Sequence, residues 1–336
     1  MPLKPKATHN LFLFYSCDQR DLGAESYTKA LFPPAAIEDF RQLEETELFF
    51  RLESLGAPLE QAEFFQLASM VETPQEATEL LIDVAKTPPP FEKLYLVIFE
   101  LWRRLLPERK TFSIFCDELD RQIFLYNQGT LRKDEALQKS LAILEKLFQE
   151  QIDQGEGKKE MREHFDRHMA HDLDHFLYEY ITDLMASRSF VYAEELVESF
   201  YYYMHDRRWF DFLLLQIIHE KDPVEAHELL RSLIKEVTDE EDVDLQFEML
   251  HYMIETGDRH SFIYLVEKNA LLLRTEEDFV ELMAIVSEYY RRLDQEDLQE
   301  KIERLIEERS TKKSHERFEK KDQGFQRFVE ILGLFR

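Results

Sequence analysis

Glycine, proline and cysteine are scarce in this 336-residue chain, with eight Gly, eleven Pro and two Cys. So few glycines leave little material for the tight turns that join strands into hairpins, and an extensive β-sheet is excluded. Two isolated thiols, Cys17 and Cys116, exclude a disulfide framework and suit a reducing compartment, so a cytoplasmic location is expected. Long apolar runs are missing too. No stretch approaches the roughly 20 apolar residues that span a bilayer. The run Leu11–Cys17 is short for the apolar part of a signal peptide, and Phe14-Tyr15-Ser16 lacks the small residues of a cleavage site. Residues 1–34 are expected to form an extension, a flexible start followed by a segment that packs on the body. A glycine-rich phosphate loop, a nucleophile elbow and a kinase signature are also absent.

What is present is helix-forming. Hydrophobic residues make up 44% and aromatics 13% of the chain, enough for a sizeable core, and Leu, Glu, Phe, Ala, Gln and Arg dominate. An all-α fold follows. The formal charge is −27. From Ser310 to Arg336 seven Lys/Arg stand against four acids, a net of +3, so residues 1–309 carry −30. A body this negative repels phosphate backbones and anionic lipid, which argues against nucleic acid and membrane as partners. It attracts basic proteins or peptides, although acidity also serves solubility alone.

The apolar positions Phe40, Leu43, Leu48, Leu52 and Leu55 make a helical stripe ended by Gly56 and Pro58, with Ile37 at its start. Thr73-Pro74-Gln75-Glu76 starts another helix with a capping threonine and proline at the first helical position. After Pro88-Pro89-Pro90, the segment Phe91–Leu106 is apolar nearly all round and is expected at the centre of its domain. These helices make an N-terminal helical domain over 35–154. Asp153–Lys159, with Gly155 and Gly157, charge and no apolar residue, marks the boundary. A long helix is expected from Glu160 to Ala186, within a C-terminal domain of residues 159–309.

In that domain helices begin near Ser189, Asp222 and Asp258, and each is followed by a second after Asp206-Arg207, Thr238-Asp239 or Arg274-Thr275. Starts 33 and 36 residues apart, made of helix pairs, predict an α-solenoid-like stack after an N-terminal bundle. In spacing and pairing, residues 189–293 resemble tetratricopeptide-type repeats. The family's Trp, Leu-Gly, Tyr, Ala, Phe and Pro signature is not carried over; Pro223 and Gly257-Asp258 are isolated matches, so its peptide groove is not transferred. An irregular helical bundle fits the same spacing.

The run Glu163–His175 places His164, His168, His171 and His175 at i, i+4, i+7 and i+11, within about 60° on one helix. Imidazoles on adjacent turns are within chelating reach of a divalent metal, with Asp172 and Asp174 as supporting partners. One helix alone cannot close a tetrahedral site, so a plain surface or interhelical stripe, or a pH-responsive surface, explains the same pattern. His171-Asp172 and His205-Asp206 invite comparison with the His-Asp metal phosphohydrolases, but His164 stands too close upstream and Asp206 falls at a turn.

Phe200–Phe212 is dense in aromatics, among which Tyr202 and Trp209 are candidates for partner contact. Glu225 and Glu228 lead an acidic stretch suited to a basic peptide. Residues 310–336 form a basic connector and a short amphipathic helix presenting Phe325, Phe328, Leu332 and Phe335 on one face. That helix docks on the body, enters a partner's groove or touches membrane. The expected function is an interaction scaffold, an adaptor or chaperone with an acidic surface for a basic partner. The alternative is a metal-binding helical protein or metal-dependent hydrolase using the histidine stripe.

Overall fold

Helices account for nearly all regular structure in the computed structural model, which describes residues 40–84, 91–131, 134–310 and 312–335. Within these there are sixteen α-helices and no β-strand. The extension 1–34, the run Leu11–Cys17 and Ile37 lie outside the described residues. Among those described, no helix is long and apolar enough to cross a membrane. The chain divides into two units, Met1–Leu177 and Tyr178–Arg336.

The first unit contains α1 (Glu45–Ser54), α2 (Gln61–Ser69), α3 (Pro74–Val84), α4 (Phe91–Leu105), α5 (Phe112–Asn127), α6 (Glu135–Asp153) and α7 (Lys158–Asp166). It also takes the start of α8 (Leu173–Ala186). Phe40–Gln42 is a 3-10 turn, so the expected first helix begins only at Glu45. It buries Leu48 and Leu52 and ends before Gly56, whose φ of 81° suits glycine. The Glu76 N–H donates to Thr73 Oγ1 at 3.2 Å, and the Glu76 carboxylate accepts from the Glu72 N–H at 2.8 Å, closing the start of α3 on both sides. Both α1 and α3 pack against α4. Leu94, Ile98, Leu101 and Trp102 of α4 are fully buried, as its all-round apolar sequence requires.

The long helix expected over Glu160–Ala186 is instead two, α7 and α8, separated by residues 167–172. Two carboxylates explain the break. Buried Asp120 of α5 accepts the backbone N–H of Ala170 at 2.8 Å and of His171 at 3.0 Å. Asp172 accepts from Asp174 and His175 at 2.8 and 3.1 Å, which is the N-cap of α8. Ala170 and His171 thus give their N–H groups to a side chain from another helix, and Asp172 starts a new one.

The second unit continues with α9 (Phe190–Tyr201), α10 (Arg207–Lys221), α11 (Pro223–Asp239), α12 (Val243–Thr256), α13 (Arg259–Ala270), α14 (Glu276–Arg292), α15 (Glu296–Arg309) and α16 (Gln323–Leu332). Short polar residues set the starts: Asp206, Asp222, Asp242, Asp258, Thr275 and Asp322 each accept a first-turn N–H. Successive helices pack as neighbours, and α12 also packs on α14 while α11 packs on α13. Phe212 of α10 meets Tyr252 of α12 edge-on at 5.6 Å. Alternate helices therefore form two layers, α10–α12–α14 and α11–α13, around one continuous apolar core. This is the stacked-pair arrangement that the 33- and 36-residue spacing predicts.

Residues 312–318 run back along the start of α14. The N–H groups of Glu276 and Glu277 donate to Glu316 O and Ser314 O at 2.9 and 3.1 Å, and Phe318 N–H donates to Arg274 O at 2.9 Å. Donors that every helix start leaves open are thus closed by the chain's own C-terminal segment.

Candidate interaction groove

A groove of about 470 Å³ crosses the second unit at the ends of α8, α10, α12 and α14. Its walls come from Met185 on α8, Gln216, His219 and Glu220 on α10, His251, Tyr252, Ile254, Glu255 and Thr256 on α12, and Glu288 and Arg292 on α14, with Phe190 from the start of α9. An aromatic contact also joins α8 to α10. Tyr178 packs edge-on against Trp209 at 4.9 Å, and its hydroxyl donates to Glu248 at 3.4 Å.

Three glutamates and one arginine line the groove, so it is net negative while its histidines are neutral. Arg292 pairs with Glu255 at 2.7 Å and reaches within 3.9 Å of Glu288. A hydrogen bond from Arg291 holds the Glu288 carboxyl below its usual range, so it is ionised at neutral pH. His251 Nε2 stands 3.5 Å from Glu281, the next acid along α14. Glu220, Glu255 and Glu288 are 35 and 33 residues apart, so successive pairs deliver the same residue type to the same wall.

The residues singled out from the sequence stand elsewhere. Tyr202 is 50% exposed, edge-on to Tyr203, with the Arg207 guanidinium 5.6 Å from the centre of its ring. Trp209 is half-buried against Tyr178, a packing residue of the layer. Glu225 and Glu228 are exposed on α11, in the layer opposite the groove. Of the acidic stretch, Glu240 and Asp242 face Arg208 at 3.3 and 3.5 Å.

The C-terminal helix belongs to the unit's own core. Phe325 and Phe328 are buried, with ring centroids 5.7 and 5.5 Å from Phe279 of α14. Both side chains are taken up by the unit's own core, whereas Leu332 is partly buried and Phe335 is exposed. Arg309 fixes this packing. Its guanidinium lies between Glu276 and Asp322 and 4.7 Å from the centre of the Phe279 ring.

The four histidines do not form one stripe, because the helix breaks between them. His164 is on α7, His168 and His171 are in the break, and His175 is on α8. His164 and His168 flank Phe112 at centroid distances of 5.2 and 5.3 Å, and His168 Nδ1 lies 2.9 Å from His164 O. His171 turns inward, its Nδ1 2.9 Å from Asp120 Oδ1. Among the described residues no three His, Cys, Asp or Glu side chains converge as a metal site.

Among the described residues, the first unit buries three carboxylates, Glu100, Asp117 and Asp120. Glu100 is paired with Arg103 and Arg104 at 2.5 and 2.6 Å, and Asp117 with Arg41. Burial outweighs the Arg41 guanidinium and pushes the Asp117 carboxyl up to about 7. The folded state then holds a proton that the unfolded state releases near pH 4, so this group's contribution to stability is largest below pH 4 and falls as pH rises toward 7. Asp117→Asn should flatten that fall. Thermal melts of both proteins between pH 4.5 and 8 check it, and parallel profiles would rule Asp117 out as the source.

Comparison with protein-family models, with curated proteins and with solved structures finds no match to this chain.

Proposed function

We propose that the chain is an interaction scaffold whose groove across α8, α10, α12 and α14 receives a Lys- or Arg-bearing segment of another protein. The observation that carries this reading is the recurrence of Glu220, Glu255 and Glu288 on three successive helices of one layer, all lining one groove. Carboxylates repeated at the spacing of the stack give an extended basic segment several contacts in register. The strong negative charge of the rest of the chain steers such a segment toward it. Kinship with tetratricopeptide-type repeats is part of the proposal, supported by the pair spacing and the two layers. So is a cytoplasmic location, supported by the free, buried thiol of Cys116.

The test compares two charge reversals of equal size. A fluorescein-labelled oligolysine peptide is titrated with wild type, with E255K/E288K and with E225K/E228K. The groove variant should weaken binding about tenfold or more, and the α11 variant should do so only slightly. Equal losses in the two variants would mean diffuse attraction to an acidic surface, and the groove reading would fail.

A further inference from the structure

The face of α14 that lines the groove continues past it. Glu277, Glu281, Ala284, Glu288 and Arg292 follow one another at i, i+4, i+7, i+11 and i+15, one stripe on a helix. At its upstream end lies a second hollow of about 500 Å³, floored by Val280 and Ala284 of α14 and Ile306 of α15 and edged by Glu277, Glu281 and Lys312. Ala284 is the small residue in an otherwise charged stripe, and it is exposed. Its short side chain leaves Val280 and Ile306, both partly buried, open from above. The His251–Glu281 pair joins α12 to this stripe where the groove and the hollow approach each other.

We infer that the segment bound by the groove is amphipathic, with an apolar side chain seated over Val280, Ala284 and Ile306 and basic side chains facing Glu281, Glu288 and Glu255. This rests on the groove reading above and names its partner class. Charge complementarity fixes the polar half. Glu255, Glu277, Glu281 and Glu288 are each 38% exposed or more, well placed for rim contacts. Rim charges govern encounter and salt dependence, whereas an apolar anchor in a desolvated hollow governs residence. The span also sets a register. From Ala284 to Glu288 is about one helical turn, roughly 6 Å at 1.5 Å per residue. A helical partner would carry a basic residue about four positions from the anchor; an extended one, about two.

The experiment uses the full chain and two synthetic helical peptides that share their lysines and differ at one position, Leu or Ser, at the anchor. Binding is followed by fluorescence anisotropy with wild type and with Ala284→Phe, which fills the hollow from an exposed position without changing charge. Wild type should bind the Leu peptide about tenfold more tightly than the Ser peptide. Ala284→Phe should remove that advantage, so that it binds the two peptides alike. Equal binding of both peptides to wild type overturns the anchor while sparing the groove. A Leu preference that persists in Ala284→Phe puts the anchor elsewhere and overturns it as well. Failure of both peptides to bind at low salt overturns the groove reading itself.

Discussion

Deleting residues 318–336 is expected to lower the thermal transition of the second unit by about 10 to 20 °C. Phe318, Phe325, Phe328 and Leu334 are all buried in that unit's core, and three of the rings surround Phe279. Removing one buried Phe side chain costs about 3 to 5 kcal/mol. The four lost together exceed 5 kcal/mol even when the surroundings relax, and about 1 kcal/mol moves the midpoint of a unit this size by roughly 2 to 4 °C. Because stacked pairs touch mainly their neighbours, the damage should begin at α14 and α15 and spread inward. Calorimetry on the truncated and full chains gives the answer. An unchanged transition would mean that the helix is held weakly and is available to a partner, contrary to its burial.

The second large effect is expected from Arg309→Met. Arg309 and Glu276 side chains are each 5% exposed, and the guanidinium also bonds Asp322 Oδ1 at 2.5 Å. Removing the cation leaves a buried carboxylate with only Lys312, 3.5 Å away, to answer its charge. Breaking one side of a buried pair costs about 3 to 5 kcal/mol, whereas replacing both partners is often near neutral. Arg309→Met should therefore be severely destabilised, and Arg309→Met with Glu276→Leu should recover much of the loss. Acid sensitivity provides an independent reading. Burial opposes ionisation of Asp322, but the hydrogen bonds from Arg309 and Lys312 overcome it and hold the carboxyl well below its usual range. That contribution is present above about pH 4 and fades as pH falls further. In Arg309→Met the acid-dependent part should shrink. Chemical denaturation of the three proteins at pH 3 and pH 7 measures both effects, and a double variant no better than the single one would contradict the pairing.

The helices were legible from local chemistry. Asp222-Pro223, Asp258 and Thr275 carry their capping instructions in sequence, and those positions open α11, α13 and α14. The apolar face of Phe325–Phe335 was equally plain, but whether it docks on its own chain depends on Phe279 and Arg309, tens of residues away or nearer only by folding. The break at 167–172 was hidden for a related reason. Nothing in Glu160–Ala186 forbids a helix, and the carboxylate that takes the backbone N–H groups of Ala170 and His171 comes from Asp120, fifty residues earlier. Losing that helix dissolves the histidine stripe, whose phase held only along one unbroken axis. The groove escaped because its residues are drawn from alternate helices. Local runs of aromatics and acids pointed to Tyr202 and Glu225, whereas the wall residues become visible only when one position is followed from pair to pair, as from Glu220 to Glu255 to Glu288.

Methyl NMR of the full chain with the Leu-bearing lysine peptide tests the central claim most directly, because Ile254, Val280, Ala284 and Ile306 line the groove and its neighbouring hollow. Saturable shifts of these methyls, with little change at Val224 and Leu229 on α11, are the expected result. Saturable shifts confined to other surfaces, or none while the peptide is bound, would contradict a groove built on alternate helices.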